Sequence, residues 1–260
     1  MKQRFNWNWI AQFVVVLVCA YLLKRYYSTA SADQLRWILA PTTTLVELIC
    51  RTSFEFESHA GYISADRSFL IAPSCAGVNF LIAAFLMLSL RKLWVEQSTR
   101  TASSTWRFIP TAALVAYLTT LAANAVRITI ALQLQRTPPQ LGDLSRGELH
   151  RLEGIFVYFG FLLLLFLISE RWRTKTTARL LSLSVFPLLI YYLTTLGIPL
   201  ANAAYRQKLV DVDFGQHSVF VLLTPLVLVV PIATFRYCRS HYRSLRSCKI
   251  NEAALRVNLE

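Results

Sequence analysis

Acidic residues are scarce in this sequence: 14 Asp and Glu stand against 27 Lys and Arg, a formal net charge of +13. Such an excess would suit a nucleic-acid partner if it formed one stripe on a soluble domain. The basic residues instead lie between and beyond long apolar runs, so no nucleic acid is expected and the charge reads as membrane topology. The five cysteines, Cys19, Cys50, Cys75, Cys238 and Cys248, are an odd number without a C-x-x-C pair. That pattern indicates neither a disulfide framework nor a zinc site. There is no P-loop, internal repeat or low-complexity tract, and neither cofactor nor metal is expected. What is plentiful is apolar surface: 55% of the 260 residues are hydrophobic, in uncharged runs too regularly spaced for one soluble core. Membrane lipid is the first partner this implies.

Six segments approach the roughly 20 residues needed to cross a bilayer at about 1.5 Å per residue. They run from Trp7 to Leu23, Ala72 to Leu90, Phe108 to Val126, His150 to Ser169, Leu180 to Ala201 and Ser218 to Phe235. The stretch Leu35 to Cys50 is shorter and interrupted by Pro41, three threonines and Glu47; Ile38, Leu45, Leu48 and Ile49 fall near one face, which predicts an amphipathic helix at the interface. Alternation around Phe54 and Phe56, then aromatic and β-branched residues from Tyr62 to Ile71, predict a short hairpin outside the membrane. The expected architecture is an all-α polytopic membrane protein with about six transmembrane helices, the interfacial helix and the hairpin. Its parts are an N-terminal anchor (1–33), an external helix and hairpin (34–74), a transmembrane core (75–170), two further transmembrane helices (171–236) and a basic tail (237–260).

Basic clusters orient this arrangement. Lys2 and Arg4, then Arg91, Lys92, Arg100 and Arg107, then Arg171, Arg173, Lys175 and Arg179, then the tail all fall on one side if both termini are cytoplasmic. Trp94, Trp106 and Trp172 lie at that same boundary, as an aromatic belt does. On the opposite side Lys24, Arg25, Arg36, Arg51 and Arg67 are balanced by Asp33, Glu47, Glu55, Glu57 and Asp66. The N-terminus also resembles a signal peptide, with an A-x-A at Ala30 to Ala32, but Lys24 and Arg25 intervene and favour an uncleaved anchor. The basic tail, His241 included, reads as an inner anchor against anionic lipid.

Polar residues inside the apolar segments are the functional candidates. Cys75 opens the second crossing in "IAPSCAGVNF", with Pro73 and Ser74 as the expected helix start and cap. A helix N-terminus favours an anionic thiolate there. Thr120, Asn124 and Arg127 form a polar stripe near the end of the third crossing, and His150 begins the fourth with Gly154 one turn on. Each has a plain alternative: a buried small thiol, an arginine reaching the head groups, an interfacial histidine. Their common depth at the outer ends of three consecutive helices favours chemistry, because Cys, His and Arg supply a nucleophile, a base and an anion stabiliser.

At these residues the sequence resembles the exosortase and archaeosortase family of membrane-embedded cysteine transpeptidases. The resemblance rests on Cys75-Ala76-Gly77, on Asn124-Ala125-Val126-Arg127 and on His150 with Gly154, and covers about Leu45 to Leu165. The "PSCAGVNF" form looks most similar to the exosortase K subgroup. The last two crossings add nothing to the signature. The resemblance implies a bacterial inner-membrane enzyme whose partners are exported proteins with a C-terminal sorting signal: a short motif, a transmembrane helix and a basic cluster. Cleavage near the motif, outside the membrane, would pass the new C-terminus to an unidentified acceptor. Cys75, Arg127 and His150 would be catalytic, Asn124 would orient Arg127 or the substrate backbone, and Gly77 and Gly154 would allow close packing.

Rival residues are present. His217, four residues after Asp213, could complete a Cys-His-Asp set; His59 is expected to be solvated. Cys50 is expected to pack, although a disulfide to Cys75 would abolish the mechanism. Glu153 suits its helix start and could pair with Arg127 or Arg151. A reading of another class is a non-enzymatic transporter or scaffold with Asn124, Arg127 and His150 lining an anion cavity, which needs no thiol.

Overall fold

The computed structural model describes residues 7–99, 106–136, 146–171, 180–198, 200, 218–235 and 238. Its helices are α1 (Trp7–Tyr27), α2 (Arg36–Cys50), α3 (Val78–Thr99), α4 (Phe108–Arg136), α5 (Arg146–Arg171), α6 (Leu180–Tyr192) and α7 (Ser218–Phe235). Between α2 and α3 lie β1 (Phe54–Glu57), β2 (Gly61–Ser64), β3 (Leu70–Ile71) and a 3₁₀ turn, Pro73–Cys75.

Five helical segments among the described residues are long and apolar enough to cross a membrane: Trp7–Tyr27, Pro73–Trp94, Phe108–Arg136, Gly147–Ser169 and Ser218–Phe235. The expected crossing from Leu180 to Ala201 is not one of them. Its described apolar stretch, Val185–Gly197, is shorter, contains Pro187 and ends in a π-helical turn, Leu193–Gly197. Ala201 lies outside the described residues.

Helix α3 is apolar all round from Phe80 to Leu88 and sits at the centre, packed against α1, α4, α5 and α6. Phe80, Leu81, Ile82, Ala83, Ala84, Phe85, Leu86 and Met87 are consecutive and all buried. The surrounding helices bury one stripe and expose the other: α1 buries Gln12, Val16 and Ala20 and exposes Val14, Leu17, Val18 and Leu22. An apolar outer face of that kind is what lipid covers. Since lipid is as apolar as leucine, contacts between the helices depend on close packing. The small buried residues Ala83 and Ala84 on α3, and Ala112, Ala116 and Ala123 on α4, permit it.

Contacts at both ends of the bundle fix helix directions. Trp9 Nε1 donates to the Leu93 carbonyl at 3.1 Å, and Arg91 bonds the Ser169 hydroxyl while lying over the Phe166 ring. At the opposite end, Lys24 Nζ donates to Asn79 Oδ1 at 2.7 Å. The starts of α3 and α5 and the last turns of α1 and α4 therefore share one end of the bundle.

Helix α2 packs on α4 through Ile38, Leu39, Thr42, Thr43 and Val46. Of the apolar face expected for it, Ile38 is buried, while Leu48 and Ile49 are exposed at the helix end. The three strands form an antiparallel sheet in the order β1-β2-β3, with Phe54 opposite Ser64 and Tyr62 opposite Ile71. Gly61 has φ +125°, and a Cβ there would collide with the Ile71 carbonyl. The β2–β3 turn is built on Asp66, which accepts from the Ser64 hydroxyl and from the Ser68 hydroxyl and amide. These bonds hold its carboxyl down at about 2. Gln135 donates to the Ser68 carbonyl at 2.9 Å and Arg136 to the Thr52 hydroxyl at 3.1 Å, which tie the sheet to the end of α4.

Candidate active site

Cys75 follows β3 in chain order but does not open α3. Pro73, with fixed φ and no amide donor, starts a 3₁₀ turn in which the Cys75 amide donates to the Ala72 carbonyl at 2.8 Å and Ala76 to Pro73 at 3.1 Å. Gly77 then takes φ +71°, and its carbonyl receives the Leu81 amide at 3.0 Å as α3 begins. The expected helix start at Cys75, capped by Ser74, is thus corrected: the left-handed step at Gly77 separates the cysteine's turn from the helix. Cys75 is a half-buried free thiol.

Four side chains from α4 and α5 converge behind it. Asn124 is fully buried and its Nδ2 donates to the Cys75 carbonyl at 2.6 Å. Its Oδ1 accepts from the Tyr158 hydroxyl at 2.9 Å, and that hydroxyl accepts from Arg127 Nη1 at 3.0 Å. Arg127 Nη2 lies 3.0 Å from His150 Nε2. A guanidinium only donates, so Nε2 is the acceptor and the ring proton belongs on Nδ1. Nδ1 in turn faces Glu153 Oε2 at 3.3 Å. One polar chain therefore runs from the cysteine backbone through Asn124, Tyr158 and Arg127 to His150 and Glu153.

Both glycines of the motifs make room for this chain. A Cβ on Gly77 would sit 3.3 Å from Asn124 Cγ and from Thr120 Cγ2 and 3.4 Å from the Tyr158 hydroxyl; one on Gly154 would sit 3.3 Å from Arg127 Nε. Gly77 thus admits α4 and α5 side chains, and Gly154 admits the arginine. Thr120 turns its hydroxyl back to the Ala116 carbonyl at 2.7 Å, so its contribution to the stripe is packing.

A cavity of about 270 Å³ opens beside the network. Arg127, His150, Arg151, Gly154 and Tyr158 line one part, and Ser74 and Gly77, on either side of Cys75, line another. Tyr27 of α1 and Tyr191, Thr194 and Thr195 around the π turn also line it. The cysteine's neighbours, rather than the cysteine, form the wall. Its thiol is still near enough to Arg127, Tyr158 and Tyr27 to interact electrostatically. Among the described residues none makes a hydrogen bond to the thiol, and none form a group of three His, Cys, Asp or Glu suited to a metal ion.

The structure brings Cys75, Gly77, Asn124, Arg127, His150 and Gly154 to one end of the bundle. Tyr158 and the π-turn threonines are additions. Tyr158 was detectable: it stands eight residues after His150 and four after Gly154, on one helical face. Glu153 meets His150 rather than pairing with Arg151. Cys50 donates its thiol to Thr129 Oγ1 at 3.6 Å and is not in a disulfide. His59 is 86% exposed beside Asp33. Asp213, His217, His241 and Cys248 lie outside the described residues. Comparison with protein-family models, curated proteins and solved structures finds no match to this chain.

Proposed function

We propose that this protein is a membrane-embedded cysteine transpeptidase of the exosortase type, acting on exported proteins with a C-terminal sorting signal. The observation that carries the reading is the polar chain joining the Cys75 carbonyl to Asn124, Tyr158, Arg127 and His150. The arginine fork is shared between a tyrosine and a histidine beside a free thiol, and a nucleophile, a base and an anion stabiliser are the groups that acyl transfer through a thioester uses. The motif resemblance, carried by the same residues, points the same way.

In the proposed reaction, substrate takes over Arg127 Nη2, which frees His150 Nε2. His150 accepts the Cys75 thiol proton and the thiolate attacks the scissile carbonyl carbon. Arg127 stabilises the oxyanion, a role commonly worth about 3 to 4 kcal/mol. Collapse breaks the C–N bond as His150 returns its proton to the leaving amine, leaving a thioester on Cys75. An acceptor nucleophile then attacks the thioester, its proton passes through His150 to the departing thiolate, and the thiol is restored. Water in the acceptor's place makes the same enzyme a peptidase.

The orientation proposed is the one the basic clusters favour, with the segment that contains α6 counted as a sixth crossing: bacterial inner membrane, both termini cytoplasmic, the Cys75 end and the sheet outside. The last two helices, silent in the motif resemblance, gain a proposed role as the cavity wall that receives the substrate, because Tyr191, Thr194, Thr195 and Val221 belong to it. A second reading, a non-enzymatic anion cavity, is favoured by the cationic lining from Arg127 and Arg151.

Co-expression with tagged candidate clients separates the two. Wild type should remove the C-terminal helix of a client and Cys75→Ala should not. Equal processing by both proteins contradicts the transpeptidase reading, whereas anion binding retained by Cys75→Ala without any processing supports the cavity.

A further inference from the structure

We infer that Glu153 is the positioning residue for His150, holding its imidazole through Nδ1 and stabilising the imidazolium that forms when the ring takes the Cys75 proton. The inference rests on the transpeptidase reading and extends it to a residue outside the motif. Glu153 lies on α5, and its side chain is 6% exposed. A carboxylate in such a place needs a partner. Neither of its oxygens accepts a hydrogen bond from a described residue, and its nearest cation-forming group is His150 Nδ1 at 3.3 Å.

The geometry assigns a direction to the pair. Because Arg127 Nη2 donates to Nε2, the ring proton sits on Nδ1, the nitrogen 3.3 Å from Glu153 Oε2. The contact is not a formed hydrogen bond in this state, and a catalytic bond that tightens as charge develops starts from such a distance. When Nε2 takes the thiol proton the ring becomes cationic beside Arg127, a repulsion that the buried carboxylate offsets. Arg127 itself has a buried Nε without a hydrogen-bond partner, which leaves the two cations sharing Glu153 as their nearby anion. Tyr27, Tyr158, Tyr191 and Arg151 are the other ionisable groups lining the cavity with Arg127 and His150.

The test uses iodoacetamide, a small neutral electrophile whose amide oxygen can take over Arg127 Nη2 as the scissile carbonyl of a client does, so that His150 Nε2 is freed without client recognition. Full-length protein in membranes is alkylated, and the rate is read by mass spectrometry on the peptide containing Cys75. Wild type is compared with His150→Ala, Glu153→Gln, Glu153→Leu and the double variant His150→Ala/Glu153→Gln. Glu153→Gln preserves size where Glu153→Leu risks misfolding, and thermal unfolding of each variant monitors the fold. The expected result is that His150→Ala and Glu153→Gln each slow alkylation about tenfold or more, while the double variant is no slower than His150→Ala alone. That non-additivity is what a merely structural glutamate would not produce. If His150→Ala slows alkylation and Glu153→Gln does not, or if the two losses multiply, the Glu153 role is overturned while the Cys75–His150 pairing stands. If His150→Ala leaves the rate unchanged, the pairing itself fails and takes the inference with it.

Discussion

Arg127 Nη2 donates to His150 Nε2 across 3.0 Å, so the guanidinium occupies the lone pair that a general base requires. The same arginine reaches Tyr158 with Nη1 at 3.0 Å and stacks over its ring, 5.3 Å from the centroid. This couples the histidine's availability to whatever draws the arginine away. Arg127→Lys keeps a positive charge but loses the two-armed fork. It should lower turnover of a processed client by about 100-fold or more, since one point charge cannot replace an oriented oxyanion donor. Turnover within threefold of wild type, measured by client cleavage in membranes, would remove Arg127 from the mechanism.

Tyr158→Phe removes one hydroxyl and leaves Asn124 Oδ1 and Arg127 Nη1 without their partner in a buried setting. Each abandoned group costs about 1 to 3 kcal/mol. Thermal unfolding should fall measurably, and client cleavage should drop about tenfold or more as Arg127 and the Cys75 turn lose their common brace. Unchanged unfolding with unchanged cleavage would show that the polar chain has no bracing role.

Two glycine substitutions should separate shape from chemistry. Gly77→Ala must adopt φ +71° and push against Asn124 and Thr120, a loss of about 1 to 2 kcal/mol in stability from the left-handed backbone alone. Gly154→Ala has ordinary helical backbone, gains about 1 kcal/mol in helix propensity and presses only on Arg127 Nε. The first should lower both stability and client cleavage, the second chiefly cleavage. Paired unfolding and cleavage measurements decide it, and equal stability losses in the two variants would contradict the assignment.

How much of this was legible beforehand differs by residue. Cys75, Arg127 and His150 were visible because expensive polar groups in apolar segments have few explanations, and consecutive helices put their ends together. The π turn that brings Thr194 and Thr195 to the cavity carries no pattern in sequence, because its hydroxyls bond back to Ile190 and Tyr191 and the segment reads as plain helix. The break at Gly77 was hidden too: Pro73 and Ser74 satisfy the rules for a helix start, and only the backbone shows that the helix waits until Val78. β1 follows the alternation expected around Phe54 and Phe56, whereas β2 does not alternate in burial and β3 adds a third strand to the expected hairpin; the partner of Glu153 was a matter of three-dimensional reach.

The Asp66 turn gives a prediction independent of function. Its carboxyl, held at about 2 by the Ser64 and Ser68 bonds, should remain ionised at pH 3, where an ordinary aspartate is mostly protonated. A depressed value means the turn's contribution is fully present well above the unfolded value of 3.8 and is lost progressively as pH falls from there through about 2. Ser64→Ala removes the largest of the three bonds and should move the midpoint up towards 3.8. Carboxyl carbon chemical shifts of Asp66 against pH report both midpoints, and identical midpoints in the two proteins would contradict the account.

The most direct measurement is a search for the acyl-enzyme. Wild type reacting with a client is quenched in acid, digested with trypsin between Arg67 and Arg91, and the Cys75 peptide is weighed with and without hydroxylamine. The account predicts that part of the peptide carries the client's new C-terminal residues, that hydroxylamine releases them as a thioester requires, and that Cys75→Ala yields neither adduct nor cleaved client. Client cleavage by Cys75→Ala, at the wild-type rate and with no adduct on any peptide, would contradict it.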